Sequence, residues 1–273
     1  MLVSYRGLFY SVSLLPLLAG LAYALACSLG MAGSGAPEFT IGYWQQVLQS
    51  PETWISLFLS LAVSLVAVLI AVPVALILVL FYSEALENRV IRYILFLPVA
   101  IPPLIAAFMG AEWLGAGGMA ARSVFAASGW AIPSLVNDYW HTGIILSLTL
   151  MSIPFLTIIL WQYSQSEKLS GLSELATSLG ASKRQILFRV AIPVLLSRAL
   201  PNIGLIFVFM FGAYEIPLLL GMQSPRMISV LIAQKFRKFD LADIPQAYAL
   251  TVLYALVVGI IAWLISRTKR EAV

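Results

Sequence analysis

The residue types that most often carry out chemistry in proteins are scarce in this 273-residue sequence. There is one cysteine, Cys27, and one histidine, His141. A single cysteine excludes an intramolecular disulfide and a thiolate metal cluster, and a single histidine excludes the usual zinc-site patterns. The sequence contains no Gly-x-x-x-x-Gly-Lys-Ser/Thr phosphate loop. We therefore expect the chain to bind no metal or cofactor and to supply no nucleotide site.

One acidic residue, Glu215, is a candidate for a binding role because it lies in an apolar stretch, where a charge is costly. Tyr214 precedes it, and Pro217 is expected to loosen a helix at this point. An acid beside an aromatic ring suits a cationic solute. The alternative is an ion pair with Lys235 or Arg237, or a structural role at a subunit interface. Both interpretations remain open from the sequence.

The overall composition indicates a protein whose main solvent is lipid. Apolar residues make up 61% of the chain and charged residues 10%, and the mean hydropathy is +0.97. A soluble domain carries about 25% charged residues. The net charge of +4 is better explained by basic residues flanking membrane spans than by nucleic-acid binding.

The pattern of apolar stretches predicts an all-α polytopic membrane protein. Each stretch is long enough for a helix, and isolated strands cannot satisfy their backbone groups in lipid. None of the connections resembles a soluble domain, so we expect a single transmembrane domain over residues 1–273. The six predicted spans are about 11–31, 55–82, 93–115, 142–163, 199–221 and 246–266.

The distribution of basic residues predicts that both termini are cytoplasmic. With that orientation 11 of the 16 lysines and arginines lie inside, and the first outside loop, around Glu38 and Glu52, has none. The connection between spans five and six breaks the trend because it carries Arg226, Lys235, Arg237 and Lys238. We interpret residues 227–238 as a short interfacial helix whose charges snorkel to water.

The longest inside connection, roughly 164–198, has the pattern of two helices separated by a glycine. Ser170 or Ser173 can cap the first helix, with Glu174 in its first turn, and Gly180 suits its C-terminus. Ser182 can cap the second helix, which runs towards Pro193. A short helix with apolar positions at Leu172, Leu175, Ala176 and Leu179 is a shape that the groove of a partner can bind.

This connection resembles the EAA loop of the permease subunits of ABC importers that work with a binding protein. In that loop a glutamate is followed by small residues, by a glycine six positions later and by an aliphatic-x-aliphatic-Pro ending. Leu175 departs from the family pattern, which has alanine there. Six-span organisation and three prolines in span three (Pro98, Pro102 and Pro103) add to the resemblance, which covers about 55–266. The matching residues are Glu174, Ala176, Gly180, Val190, Ile192 and Pro193.

The resemblance implies a permease subunit with a cytoplasmic coupling segment, 170–193, between spans four and five. The implied partners are an ABC ATPase dimer that binds ATP and Mg²⁺, a second permease, identical or homologous, and an external substrate-binding protein in a bacterial inner membrane. ATP-driven motion of the ATPases would switch the pathway between its two open states. The implied docking residues are Glu174, Leu175, Ala176, Leu179, Gly180 and Pro193.

The cargo is less strongly indicated than the class of protein. The run Asn137-Asp138-Tyr139-Trp140 resembles permeases of the spermidine/putrescine group, although a polar turn with interfacial aromatics is the interpretation we favour for it. We expect a small cationic solute such as a polyamine, with Glu215, Tyr214 and Pro217 in its pathway. Thiamine, aminophosphonates, iron and sugars are alternatives, and the alternative class is an ATP-independent secondary transporter or channel.

Overall fold

The computed structural model describes residues 2–33, 39–238 and 243–268; for residues 2–11, 13 and 268 it describes the backbone alone. Within these ranges every regular element is a helix, which confirms the predicted all-α fold. Of the residues used to predict orientation, Glu38, Lys269 and Arg270 lie outside the described residues, as does the side chain of Arg6.

Five helical segments in the described part of the chain are long and apolar enough to cross a membrane, and Leu14–Ser28 is a shorter apolar stretch in the first helix. These features agree with a polytopic membrane protein. The five segments are Pro51–Phe81, Pro103–Ser128, Thr142–Ser166, Lys183–Phe211 and Asp243–Arg267.

The helices are α1 (Leu2–Ser28), α2 (Gly42–Gln49), α3 (Pro51–Phe81), α4 (Ser83–Glu87), α5 (Arg89–Ala100), α6 (Pro103–Leu114), α7 (Met119–Ser128), α8 (Thr142–Ser166), α9 (Leu169–Ser178), α10 (Lys183–Ile186), α11 (Ile192–Phe211), α12 (Glu215–Leu220), α13 (Ile228–Arg237) and α14 (Asp243–Thr268), with a π-helical turn over Leu187–Ala191. Contacts divide the chain into two compact units. One takes the described residues of Met1–Leu59 and Met227–Gly259, and the other those of Ser60–Arg226 and Ile260–Val273.

In the first unit, polar and aromatic contacts join α2, α13 and the beginning of α14. The Lys235 amino group donates to Gln246 Oε1 at 2.8 Å and lies 3.4 Å from Asp243 Oδ1. Gln246 donates in turn to Gln46 Oε1 at 2.7 Å. Because Lys235 is bonded in this way, the expectation that it snorkels to water is wrong. The apolar face of α13 is buried at Ile228, Val230 and Leu231.

In the second unit, α8 is the central helix, and more than half of its most apolar stretch is buried. It packs against α5 and α11, while α6 packs against α12. The Thr149 hydroxyl donates to the Ala67 carbonyl at 3.4 Å and thereby links α8 to α3. Buried Leu148, Leu156 and Leu160 continue the contact surface along α8. The predicted coupling segment, 170–193, and the predicted pathway residues Tyr214, Glu215 and Pro217 all lie in this unit.

Two predicted spans are interrupted in this unit. The predicted span 93–115 is divided between α5 and α6, because Ile101 and Pro102 each precede a proline and adopt extended backbone. The predicted span 199–221 is wrong in its bounds. Helix from Lys183 ends at Phe211 and resumes as the short α12, in which Pro217 cannot donate to the carbonyl four residues back.

Candidate docking segment and transport pathway

The connection between α8 and α11 begins with a sharp turn at Lys168, whose φ is +49°, and α9 follows at once. The predicted cap at Ser170 or Ser173 is therefore wrong. Ser173 lies inside the helix and its hydroxyl donates to the Leu169 carbonyl at 2.8 Å. Glu174 lies in the middle of the helix rather than in its first turn. The turn at Lys168 starts the helix earlier than the capping pattern suggested.

Gly180 ends α9 as predicted. Its φ of +85° is a left-handed conformation that glycine adopts without steric cost. The Gly180 N–H donates to the Thr177 carbonyl at 2.9 Å, and the Ala181 N–H donates to the Ala176 carbonyl at 3.0 Å. This pair of bonds is the Schellman motif, which satisfies the last carbonyls of a helix. The glycine is thus required by the backbone at this position.

The predicted cap at Ser182 is confirmed. Its hydroxyl accepts from the Gln185 N–H at 3.4 Å, and its own N–H donates to Gln185 Oε1 at 2.8 Å, a capping box. The sequence pattern indicated that this second helix would end at Pro193. The structure differs, because the helix does not end there. It continues through the π-helical turn into α11, so that Lys183–Phe211 forms one helical segment of 29 residues. Since Pro193 has no N–H, a wider turn just before it is physically reasonable.

The two faces of α9 differ in character. Leu172, Leu175 and Leu179 recur at helical spacing on one face and are 37%, 63% and 87% exposed. Glu174 points about 200° around the helix from Leu172 but only about 100° from Leu175, and it borders a shallow groove with both leucines. It lines a cleft of about 710 Å³ together with Lys183 at the start of α10. Of the predicted docking residues, Leu175 and Leu179 thus form an exposed apolar surface, and Glu174 borders both this surface and the cleft with Lys183.

An ion pair braces this connection. Arg198 Nε on α11 lies 2.9 Å from Glu167 Oε1, one residue beyond the end of α8. Arg198 is over half exposed and Glu167 is partly exposed. Sequence reasoning missed this pair because the two residues are 31 positions apart.

The residues predicted to line a cargo pathway follow the break in span five. The Tyr214 hydroxyl is buried and has no hydrogen-bond partner among the described residues. Glu215 opens α12, where a carboxylate favours the positive end of the helix dipole. It forms no ion pair with any residue that the structure describes. Pro217 is buried, and α12 packs against α6.

A second cavity, of about 450 Å³, lies at the break in span three and was not predicted. Pro98, Ile101 and Pro103 form one side, and residues of α8 and α11 form the other. Its lining is almost entirely apolar, with Ser152 as the polar exception. The cluster of prolines was the signal in the sequence that could have located it.

The loop before α8 is anchored at both sides. The Leu135 N–H donates to the Leu114 carbonyl at the end of α6, and the Asn137 N–H donates to the Leu220 carbonyl at the end of α12. Asp138 accepts from the backbone and hydroxyl of Thr142 at 2.9 and 2.7 Å. Burial acts to raise the pKa of Asp138, but these bonds and one from a neighbouring N–H lower the pKa below its ordinary value.

The aromatic residues of this loop face away from the protein, as the favoured interpretation of the polar turn requires. Tyr139 and Trp140 are about three-quarters exposed. His141, which follows Trp140 directly, is instead buried. Burial lowers the pKa of His141, and the charge of Asp138 only partly opposes the effect.

An all-helical chain with spanning helices, two interrupted spans and an exposed amphipathic helix in a connection has the organisation of a membrane transport subunit. The family described as binding-protein-dependent transport system inner membrane component matches residues 84–268. The chain belongs to this family, and it is a permease component of such a transport system. Among curated proteins no significant match was found.

Solved structures share the fold at low sequence identity. A bacterial ABC transporter involved in the import of the acidic polysaccharide alginate is 19% identical, with a TM-score of 0.74 over 98% of this chain and 97% of that chain. The alginate transporter in complex with an alginate pentasaccharide-bound periplasmic protein is 19% identical, with a TM-score of 0.73 over 99% and 93%. An amino acid ABC transporter with histidines is 18% identical, with a TM-score of 0.55 over 85% and 100%.

Proposed function

We propose that this chain is the transmembrane permease subunit of an ATP-driven importer and that α9 docks it onto a separate ATPase. The observation that carries the proposal is the exposed face of Leu172, Leu175 and Leu179. Exposed leucines at helical spacing are the usual anchors by which a helix enters a partner's groove. The Schellman motif at Gly180 holds the end of this helix in one conformation.

The helical segment Lys183–Phe211 is suited to transmit motion from the docking helix. It starts two residues after Ala181 and ends at the break that precedes Tyr214. A displacement of α9 by the ATPase would therefore be carried along one helix to the proposed cargo pathway. The Glu167–Arg198 ion pair joins this segment to the residue that follows α8.

The proposed assembly contains two ATPase subunits, which bind ATP and Mg²⁺, a second permease, identical or homologous, and an external substrate-binding protein. The complex of the similar alginate transporter with a periplasmic protein supports the last of these. A bacterial inner membrane, with both termini in the cytoplasm, is consistent with the family and with the basic residues. An ATP-independent transporter would leave the exposed face of α9 without a role.

For the cargo we retain a small cationic solute such as a polyamine as the first proposal. Its support is Glu215, which forms no ion pair within the described residues, beside Tyr214. The apolar lining of the cavity at the span-three break gives no support to a cation. The fold is shared with transporters of alginate and of an amino acid, so a saccharide and an amino acid are the alternatives to test.

The docking proposal is tested by co-purification of the ATPase with the tagged full-length chain. We expect Leu175→Ser combined with Leu179→Ser to reduce ATPase recovery at least about tenfold, because interface anchors are each worth 1 kcal/mol or more. Thr177→Ala, on the opposite and exposed face of α9, is the matched control and is expected to retain the ATPase. Full recovery with the double leucine variant would refute docking through this face.

A further inference from the structure

A cavity of about 350 Å³ between α5 and the end of α8 has no role in docking or in the cargo pathway described above. Arg89 and Arg92 lie along one side of it, and Trp161 lies on the other. None of the described residues that line it carries a carboxylate. We propose that this cavity binds the phosphate of an anionic glycerophospholipid.

The arginines are placed for an anion. They are three residues apart and therefore lie on the same face of α5, in the first turn and directly after it. Cations at the positive end of a helix are unfavourable unless an anion compensates them. Neither arginine forms an ion pair with a described residue. No described residue therefore neutralises the two arginines through an ion pair.

Trp161 forms a wall of the cavity and offers a further hydrogen-bond donor. The Arg92 guanidinium lies over its ring, 4.8 Å from the centroid, which fixes the position of the charged group. The indole Nε1 is buried and has no hydrogen-bond partner among the described residues. An indole N–H can only donate, so an oxygen of the bound headgroup would satisfy it.

The walls of the cavity favour a lipid over a free phosphate. Trp161 lies five residues before the end of α8, about 8 Å along the helix, and tryptophan is enriched at the level of the lipid headgroups in membrane proteins. Leu95, Phe96 and Ile158 line the remainder of the cavity. These side chains offer an apolar surface to acyl chains next to the arginines, as expected of a basic site between membrane helices.

The proposal is tested with the full-length chain in detergent micelles, by the immobilised fraction of spin-labelled phosphatidylglycerol and phosphatidylcholine. We expect the protein to bind phosphatidylglycerol more tightly than phosphatidylcholine. Arg89→Gln combined with Arg92→Gln should weaken its binding about tenfold or more, since each surface cation contributes about 1 kcal/mol to an anionic lipid. Arg122→Gln, on α7 and remote from the cavity in sequence, controls for the loss of positive charge.

Two further arms keep the result interpretable. Arg89→Lys combined with Arg92→Lys retains the charge and should retain most of the preference for phosphatidylglycerol, which separates charge loss from misfolding. Millimolar inorganic phosphate should not displace the bound lipid. Equal binding of the two lipids, unchanged binding by the glutamine variant, or displacement by inorganic phosphate would each overturn the lipid assignment.

Discussion

The side chains of Arg198 and Glu167 form an ion pair, 2.9 Å from Nε to Oε1, that joins α11 to the residue following α8. The docking helix α9 begins two residues after this glutamate. The pair thus lies at the base of the segment that we propose to contact the ATPase.

Removal of this pair should have a small effect on stability. We expect Arg198→Gln to lower the free energy of unfolding by less than about 1 kcal/mol, because the pair is exposed to solvent and screened by salt. Thermal unfolding of the purified chain at two salt concentrations measures this. A double-mutant cycle with Glu167→Gln isolates the pair, and Arg184→Gln controls for charge. A coupling of several kcal/mol would contradict the expectation.

Gly180→Ala should weaken ATPase association while leaving the membrane helices folded. The φ of +85° costs a residue with a Cβ about 1–2 kcal/mol, which loosens the end of α9. Thr177→Ala is the control, because Thr177 lies on the exposed face of α9 opposite Leu175 and Leu179 and alanine is the better helix former. Co-purification measures both. Equal loss of ATPase from the two variants would contradict a specific role of the turn.

Glu215→Gln should raise the KM for a cationic cargo about tenfold if the Glu215 carboxylate contacts the cargo. A tenfold change corresponds to a loss of about 1.4 kcal/mol in binding free energy. Uptake of labelled putrescine and of neutral solutes by cells that carry the complete transporter measures the difference. Glu112→Gln, an exposed acid on α6, is the control. Unchanged uptake of every cation would leave Glu215 with a structural role at the start of α12.

Gly204→Ala should destabilise the contact between α11 and the end of α14. A Cβ at Gly204 would lie 2.5 Å from Ile265 Cδ1 and 3.0 Å from its Cγ2. Overpacking costs about 1–3 kcal/mol in a tight core, and we expect a loss near the lower limit because Ile265 is partly exposed and its Cδ1 can move. Ile265→Val in the same chain removes Cδ1 and should recover part of the loss in thermal unfolding. Gly259→Ala meets open space and should leave the midpoint unchanged.

Asp138→Ala should destabilise the protein by about 1 kcal/mol at neutral pH, because it removes the acceptor for the Thr142 N–H and hydroxyl at the start of α8. Its pKa is lowered in the folded state, so its stabilising contribution is complete above the unfolded value of about 3.9. That contribution is lost as the pH falls through the folded pKa. The difference in unfolding midpoint between wild type and variant should therefore shrink below about pH 4. A constant difference over this range would refute the assignment.

The sequence alone determined the class of this protein and the turns of its docking segment. Composition excludes a soluble surface, and long apolar stretches in lipid can only form helices. Gly180 and Ser182 were predicted at the correct positions because the conformations they favour are local properties of the backbone. The family match confirms the class.

The tertiary structure decided which side chains share a face or a cavity. Sequence spacing could not show that Ser173 is inside α9 or that His141 is buried, because both depend on where a neighbouring helix begins and what packs on it. The same holds for Arg92 over Trp161 and for Arg198 with Glu167. Those contacts join residues far apart in the chain, and only helix packing brings them together.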